Sequence, residues 1–425
     1  MLSPVSCLPF LALALPVPQD EAYLGAPIHY GSPALEGPVE RLARRIEEGQ
    51  VELAAEGGRG YLTDLLRALG IPTSSQMLVF SKTSFQAPRI SPDNPRALYF
   101  ADDVYVGWVP GSPLLEITSV DPVRGPVFYT LTPARGEAPR FVRRDEECLG
   151  CHASSRTRNW PGNLVRSVHA DAEGNPIVRS GSHLVGHETP LEQRWGGWYV
   201  TGTHGGQRHM GNVVASADTG RVDLEAGANV VDLGERIDTS VYPSPHSDLV
   251  ALMVFEHQGQ MHNRLSRASY EVRLALYRQL ESNRFFGEPL ESIGASAQRI
   301  LERNAQRIVE YLLFRDEVRL ADPVRGTSAF ASEFQAGGRK DARGRSLKDL
   351  DLEHRLFRYP CSYLIHTPAF DELPARLLDL VYAKLWTILN DAPAFDGYVR
   401  LSLSTRRAIK EILLATKSGL PQSWR

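Results

Sequence analysis

A Cys-x-x-Cys-His motif near the middle of the chain, formed by Cys148, Cys151 and His152, constrains the fold more than any other feature. Two thiols at this spacing can add to the two vinyl groups of one haem, and the adjoining imidazole is then held against the iron as an axial ligand. The motif predicts one covalently attached haem c, with Cys148 and Cys151 as thioether anchors and His152 as the proximal iron ligand. The fold therefore has to provide a haem-sized space beside this segment.

Two other uses of a cysteine pair fit the sequence less well. A thioredoxin-like dithiol is expected at the start of a helix that follows a strand, and its chemistry does not require a following His. Half of a zinc site needs two further ligands at short spacing, whereas the remaining cysteines, Cys7 and Cys361, are isolated in the sequence. Cys361 lies among apolar and aromatic residues and is predicted to be a buried, inert thiol.

Residues 1–19 are predicted to be a signal peptide. Their apolar run is short and interrupted by proline, so it does not suit a membrane span, although no Lys or Arg precedes it. Covalent haem c is attached outside the cytoplasmic membrane, so we expect a periplasmic or otherwise exported protein. No other stretch is long and apolar enough to span a membrane, and a net charge of -3 gives no general attraction to nucleic acid.

The rest of the sequence predicts an α+β protein in three parts: an N-terminal helical segment over 20–76, a β-rich haem c-binding domain over 77–243, and an α-helical domain over 244–425 that packs on it. Runs of β-branched and aromatic residues that end at Asp, Gly or Pro predict strands on both sides of the motif. Those after the motif are expected near 164–168, 177–179, 183–185, 198–201 and 211–215. Apolar residues at helical spacing then predict a long helix that Ser247 caps, followed by further helices.

The second axial position of the iron bears directly on function, because methionine or histidine there suits electron transfer and an open position suits ligand binding or catalysis. The leading candidate is His257, which shares an apolar helical stripe with Met261 and is followed by His262. His204, in a glycine-rich segment, is a further candidate. A satisfied core histidine is the alternative for each, and the sequence does not choose among them.

Arginines are expected near the haem propionates, since a planar guanidinium group binds a carboxylate through two hydrogen bonds. Arg194 precedes a Trp-Gly-Gly-Trp-Tyr stretch, and Arg140, Arg143 and Arg144 directly precede the haem motif. A tight turn with core aromatic residues and a solvated charged loop are the respective alternatives.

Several segments beyond the motif carry a family resemblance. They are 80–86, 102–108, 121–122 with 128–131, 148–155, 194–204 and 256–263. Together they resemble a family of exported bacterial single-haem cytochromes, described mostly as cytochrome c domain proteins. The resemblance covers most of residues 75–420 and implies haem binding without implying a reaction. The strands around the motif are also similar to PAS-like haem c sensor domains, which implies a PAS-like fold for the β-rich part.

The leading functional prediction is an exported electron-transfer protein that meets other redox proteins at an exposed haem edge. The alternative is a haem-dependent oxidoreductase of a peroxidase-like or small-oxide-converting type. It is motivated by the length of the chain and by Glu256, His257, His204 and Arg194, which could supply acid-base groups above the iron. A haem-based sensor module ranks third, because the sequence shows no output domain.

Overall fold

The computed structural model describes residues 22–132, 139–390 and 401–424. Its central element is a seven-stranded antiparallel sheet. The strands are β1 Met77–Val79, β2 Arg96–Ala101, β3 Val104–Trp108, β4 Leu115–Asp121, β5 Gly125–Thr132, β6 Arg140–Arg143 and, much later in the chain, β9 Trp198–Tyr199. Their order is β6-β5-β4-β3-β2-β1-β9, so the first six strands form a meander in which each pairs with its neighbour in the chain.

The other described elements surround this sheet. Two small antiparallel sheets pair β7 Arg166–Val168 with β8 Ser182–Leu184, and β10 Gly202–Thr203 with β11 Arg325–Gly326. The helices are α1 Pro38–Glu47, α2 Leu62–Ala68, α3 Asp145–His152, α4 Leu249–Phe286, α5 Ala295–Leu312, α6 Phe330–Ala336, α7 Pro368–Asp371, α8 Ala375–Asn390 and α9 Leu403–Thr416. The mixed α and β class and the helical C-terminal region are therefore confirmed.

Alternate residues of the sheet contribute to two separate hydrophobic cores, as the pleat of a strand requires. Ala97 and Tyr99 of β2 face the core that the N-terminal segment covers with α1 and α2. Leu98 and Phe100 face the core formed with α4 and the helices that follow it. The sheet thus lies between an N-terminal layer and a C-terminal helical layer.

The N-cap of the long helix α4 lies one residue later in the chain than the predicted cap, Ser247. Asp248 is the N-cap, and its Oδ1 accepts hydrogen bonds from the backbone nitrogens of Val250 at 2.8 Å and Ala251 at 3.0 Å. Ser247 instead ties the sheet to the start of the helix, because its Oγ accepts from the nitrogen of Leu78 at 2.8 Å and donates to the carbonyl of Tyr199 at 2.6 Å. A sequence alone does not distinguish two adjacent capping residues.

Two predicted strands are wrong. The segment 177–179 overlaps a turn of 3₁₀ helix, and 211–215 forms no strand. The backbone near the second segment is bound by a side chain: Asn212 pairs through its amide with the nitrogen and carbonyl of Val200, at 2.7 and 2.8 Å. The signal peptide prediction and Cys7 lie outside the described residues. In the described part of the chain, no helix is long and apolar enough to cross a membrane.

Candidate functional site

The cysteine motif forms most of helix α3. Asp145, Glu146 and Glu147 occupy its first turn, where the helix dipole favours negative charge. Cys148 and Cys151 are three residues apart and therefore share one side of the helix. Cys148 is half-buried, Cys151 is exposed, and neither forms a disulfide. Burial, together with the nearby carboxylates of Glu116 and Glu147, raises the pKa of the Cys148 thiol to about 11.

The His152 imidazole is held by the loop that follows the helix. Its Nδ1 lies 2.8 Å from the carbonyl oxygen of Gly162, and the Gly162 nitrogen donates to the His152 carbonyl at 2.9 Å. Because a carbonyl only accepts, Nδ1 must carry the hydrogen, which leaves a lone pair on Nε2. Burial lowers the pKa of His152 to about 4, so the ring is neutral at neutral pH. These are the requirements for a metal-ligating imidazole.

The loop that holds His152 is in turn fixed by α4. Asn263 of that helix accepts a hydrogen bond from the Asn163 nitrogen at 2.6 Å and donates to the Asn163 carbonyl at 2.9 Å. Gly162 lies so close that a Cβ there would be 2.9 Å from the Asn263 Oδ1. The position of the carbonyl that orients His152 therefore depends on the Asn263 amide.

A cavity of about 480 Å³ opens beside this helix, and both motif cysteines and His152 line it. We call it the main cavity. One wall is the α4-facing side of the sheet, and the opposite walls come from 163–166 and from α4. The wall residues used below are Arg96, Leu98, Tyr105, Gly107, Glu116, Phe128, Arg144, Arg156, Asn163, Arg166, Phe255 and Gly259. Its volume lies in the range of small-molecule and cofactor sites, about 300 to 1,000 Å³.

The wall contains buried polar atoms that lack a hydrogen-bond partner in the described part of the protein. They are Arg96 Nε, Glu116 Oε1, Asn163 Nδ2 and Arg166 Nε. Arg96 and Glu116 form an ion pair with each other, and the Arg96 guanidinium occupies the space where a Cβ of Gly107 would be. Buried polar atoms are rarely left without a partner in native proteins. The distribution of these atoms around one cavity indicates a polar ligand.

None of the four candidates for the second axial ligand lines the main cavity as the described residues define it. His257 uses both ring nitrogens elsewhere, with His187 Nδ1 at 3.0 Å and Ser362 Oγ at 2.8 Å. Met261 is buried in the helical-side core. His262 bonds through Nδ1 to the Tyr105 hydroxyl at 2.8 Å, and His204 accepts from the Asn229 nitrogen at 2.9 Å.

The predicted propionate partners separate into two groups. Arg194 is buried away from the main cavity, where it pairs with Glu256 and donates to the carbonyls of Thr189 at 2.7 Å and His187 at 3.1 Å. Arg140 is exposed on β6, and Arg143 is bound to Asp145 at 2.8 Å. Arg144 does line the cavity.

Arg96, Arg156 and Arg166 also line the main cavity, and sequence reasoning missed them. The sequence did contain a signal for Arg166. It is the one charged residue in the short predicted strand 164–168, and a charged residue inside a mostly apolar strand often faces a polar site. Burial lowers the pKa of Arg166, as expected for a guanidinium without a full set of partners.

Comparisons with protein-family models, with curated proteins and with solved structures find no match in any of the three. The described residues also contain no group of three or more His, Cys, Asp or Glu side chains that could hold a metal ion without further ligands. Any functional conclusion therefore depends on the motif and on the geometry around it.

Proposed function

We propose that the chain is an exported c-type cytochrome that carries one haem in the main cavity. Cys148 and Cys151 would form the thioether bonds, and His152 Nε2 would bind the iron. The single observation that carries the proposal is the position of the motif: both sulphurs and an imidazole of the required tautomer border one cavity of about 480 Å³.

The residues present fit this group. The haem macrocycle is apolar, and Leu98, Phe128 and Phe255 offer apolar contacts on the cavity wall. Its propionates are anionic, and the unpaired guanidinium nitrogens of Arg96 and Arg166 would donate to them. When bound, haem would supply a one-electron redox centre and a site for small ligands of iron.

Within this proposal, the chain itself would control the proximal side of the iron. The Gly162 carbonyl holds the hydrogen on Nδ1 and fixes the direction in which Nε2 presents its lone pair. Because His152 is neutral at neutral pH, no proton would compete with the iron for its Nε2 lone pair. The exposed Cys151 marks a side of the site that partner proteins can approach.

Two activities follow from this arrangement. The exposed edge at Cys151 is compatible with electron transfer to other redox proteins, the leading prediction from the sequence. A specific observation favours the alternative, a haem-dependent oxidoreductase: His257, Met261, His262 and His204 are all held in other contacts, whereas Tyr105 and the Arg96–Glu116 pair border the cavity. We infer that none of these four side chains would bind the iron, so that bound haem would supply a site for a small exogenous ligand. A PAS-like sensor fold remains a prediction, and the meander order of the sheet does not by itself favour it.

The first experiment tests haem attachment in cells that carry the machinery for c-type haem. The mature wild-type protein is expected to retain one haem per chain after acid-acetone extraction. Cys148→Ser with Cys151→Ser should abolish this retention. Cys361→Ala is the matched control, because Cys361 is buried in the helical core and should not affect attachment. Wild-type protein without covalent haem would refute the proposal.

A second experiment separates the two activities. Absorption and resonance Raman spectra of the oxidised and reduced protein report the spin state and axial ligands of the iron. An open position predicts a high-spin component that becomes low-spin when cyanide is added. A low-spin spectrum that cyanide does not change would favour electron transfer instead.

A further inference from the structure

A tyrosine on the wall of the main cavity forms a hydrogen bond with a histidine in the interior of the protein. Tyr105 belongs to β3 and lines the cavity, and its side chain is almost entirely buried. Its hydroxyl lies 2.8 Å from Nδ1 of His262, which is fully buried on α4. A hydrogen bond thus connects a residue of the wall of the main cavity with a buried histidine of α4.

The same histidine leads on to an acid at a second cavity. His262 Nε2 lies 3.5 Å from Asp103 Oδ1, within ion-pair distance, and neither atom has a hydrogen-bond partner among the described residues. Asp103 lines a separate cavity of about 200 Å³, which Asp102 and Lys348 also line. The side chain of Asp103 is 19% exposed, so its carboxylate can exchange protons with water.

We propose that Tyr105, His262 and Asp103 form a proton-transfer path between the main cavity and this second cavity. The inference rests on the proposed function, since it supposes that a ligand of iron binds near Tyr105. The substrate class is a small weak acid that binds iron as its conjugate base.

The direction of transfer follows from the tautomer of His262. The Asp103 carboxylate favours a hydrogen on Nε2, so Nδ1 accepts the Tyr105 hydroxyl hydrogen. When a protic ligand reaches the Tyr105 oxygen, that oxygen takes the ligand proton while its own proton moves to Nδ1. One ligand–hydrogen bond breaks and one N–H bond forms on His262. The resulting imidazolium lies beside the Asp103 carboxylate, which stabilises its charge.

The first test needs no haem and uses protein labelled with ¹³C at the tyrosine ζ carbon. The Tyr105 resonance is assigned by its loss in Tyr105→Phe. Asp103→Asn and His262→Gln should both shift this resonance, because each changes which atom holds the hydrogen of the Tyr105 hydroxyl. Asp102→Asn is the matched control: its carboxylate is adjacent in sequence but pairs with Lys348 at 2.7 Å. An unchanged Tyr105 resonance in Asp103→Asn, or equal shifts in both Asp variants, would overturn the path.

The second test measures how fast cyanide, present mainly as HCN at neutral pH, binds to the oxidised holoprotein. Tyr105→Phe and Asp103→Asn should each slow association by about a hundredfold or more, the scale of a lost general base, and should remove a solvent deuterium isotope effect. Tyr129→Phe is the control, since that hydroxyl bonds to Glu40 rather than to His262. Equal rates in all variants would overturn the path.

The two proposals fail in different ways. A protein that carries no covalent haem refutes the proposed function, while the tyrosine resonance still decides whether the path exists. A protein that carries haem but binds cyanide at the same rate without the Tyr105 hydroxyl refutes the path alone.

Discussion

The contact between α4 and the His152 loop gives a prediction that separates positioning of the proposed haem ligand from an effect on stability alone. Asn263 makes two hydrogen bonds to the backbone of Asn163, at 2.6 and 2.9 Å, and the adjacent Gly162 carbonyl holds His152 Nδ1. Asn263→Leu removes both bonds to Asn163 while keeping a side chain of similar size. The loop is then free to shift, and the imidazole loses its fixed acceptor.

The size of the effect can be worked from these contacts. Two hydrogen bonds at a net value of about 1 kcal/mol each predict a loss of about 2 kcal/mol in the free energy of unfolding. A weaker bond from Nδ1 to Gly162 also makes His152 a poorer electron donor to iron, which destabilises the oxidised form. We therefore expect the reduction potential of the holoprotein to rise.

The assays are urea denaturation and a redox titration followed by absorbance. Asn283→Leu is the matched control, because Asn283 is a buried asparagine of the same helix and donates to the carbonyls of Pro289 at 3.0 Å and Ser292 at 2.9 Å, remote in sequence from the Asn163 loop. It should lower stability and leave the potential unchanged. If both variants lose stability and neither changes the potential, the proposed link from α4 to the iron ligand is refuted.

Three further predictions concern other parts of the molecule. Burial lowers the pKa values of His257 and His209 to about 3, so the unfolded chain binds more protons than the folded one below about pH 6.5, and stability should fall as the pH drops. Urea denaturation of His257→Gln should show a slope shallower by about 1.4 kcal/mol per pH unit between about pH 6 and pH 4, and an unchanged slope would contradict this assignment. Arg166→Met removes a positive charge from the cavity wall, which should stabilise the oxidised haem by on the order of 1 kcal/mol and lower the reduction potential; a rise would show that Arg166 acts differently. Burial also raises the pKa of the Cys361 thiol, so mature holoprotein should resist a thiol reagent until it is unfolded, as followed by mass spectrometry, and rapid labelling of the native protein would disprove the burial.

Local patterns in the sequence were sufficient for the main elements of the fold. Strands β2 to β5 and the long helix α4 follow directly from the spacing of their apolar residues, because periods of two and 3.6 residues are properties of short segments. The strand expected at 211–215 failed, because its composition suits a strand and yet Asn212 binds the neighbouring backbone through its side chain. A contact of this kind, between residues that are distant in the chain, does not change the spacing of apolar residues and so cannot be predicted from it.

The choice of a second axial ligand depended on knowing which side of α4 meets the cavity. The sequence marks His257 and Met261 as one apolar stripe, but much of the helix is buried around its circumference, so a stripe does not identify the cavity side. Phe255 and Gly259, four residues apart, face the main cavity instead. Two residues after Phe255, His257 is turned by about 200° and points to another side of the helix.

The same helix reaches the loop that holds His152, the wall of the main cavity and Tyr105. Its Asn263 holds the segment that orients His152, Phe255 and Gly259 form part of the cavity wall, and His262 bonds to Tyr105. These residues all lie between positions 255 and 263 of one continuous helix, so the helix fixes their relative positions. His152 on a short helix and Tyr105 on a strand, which are remote in sequence, are thereby placed by one element. If the proposed function holds, this arrangement gives a physical reason for a chain longer than an electron shuttle requires, because the C-terminal helices that pack on α4 fix the element that positions the site.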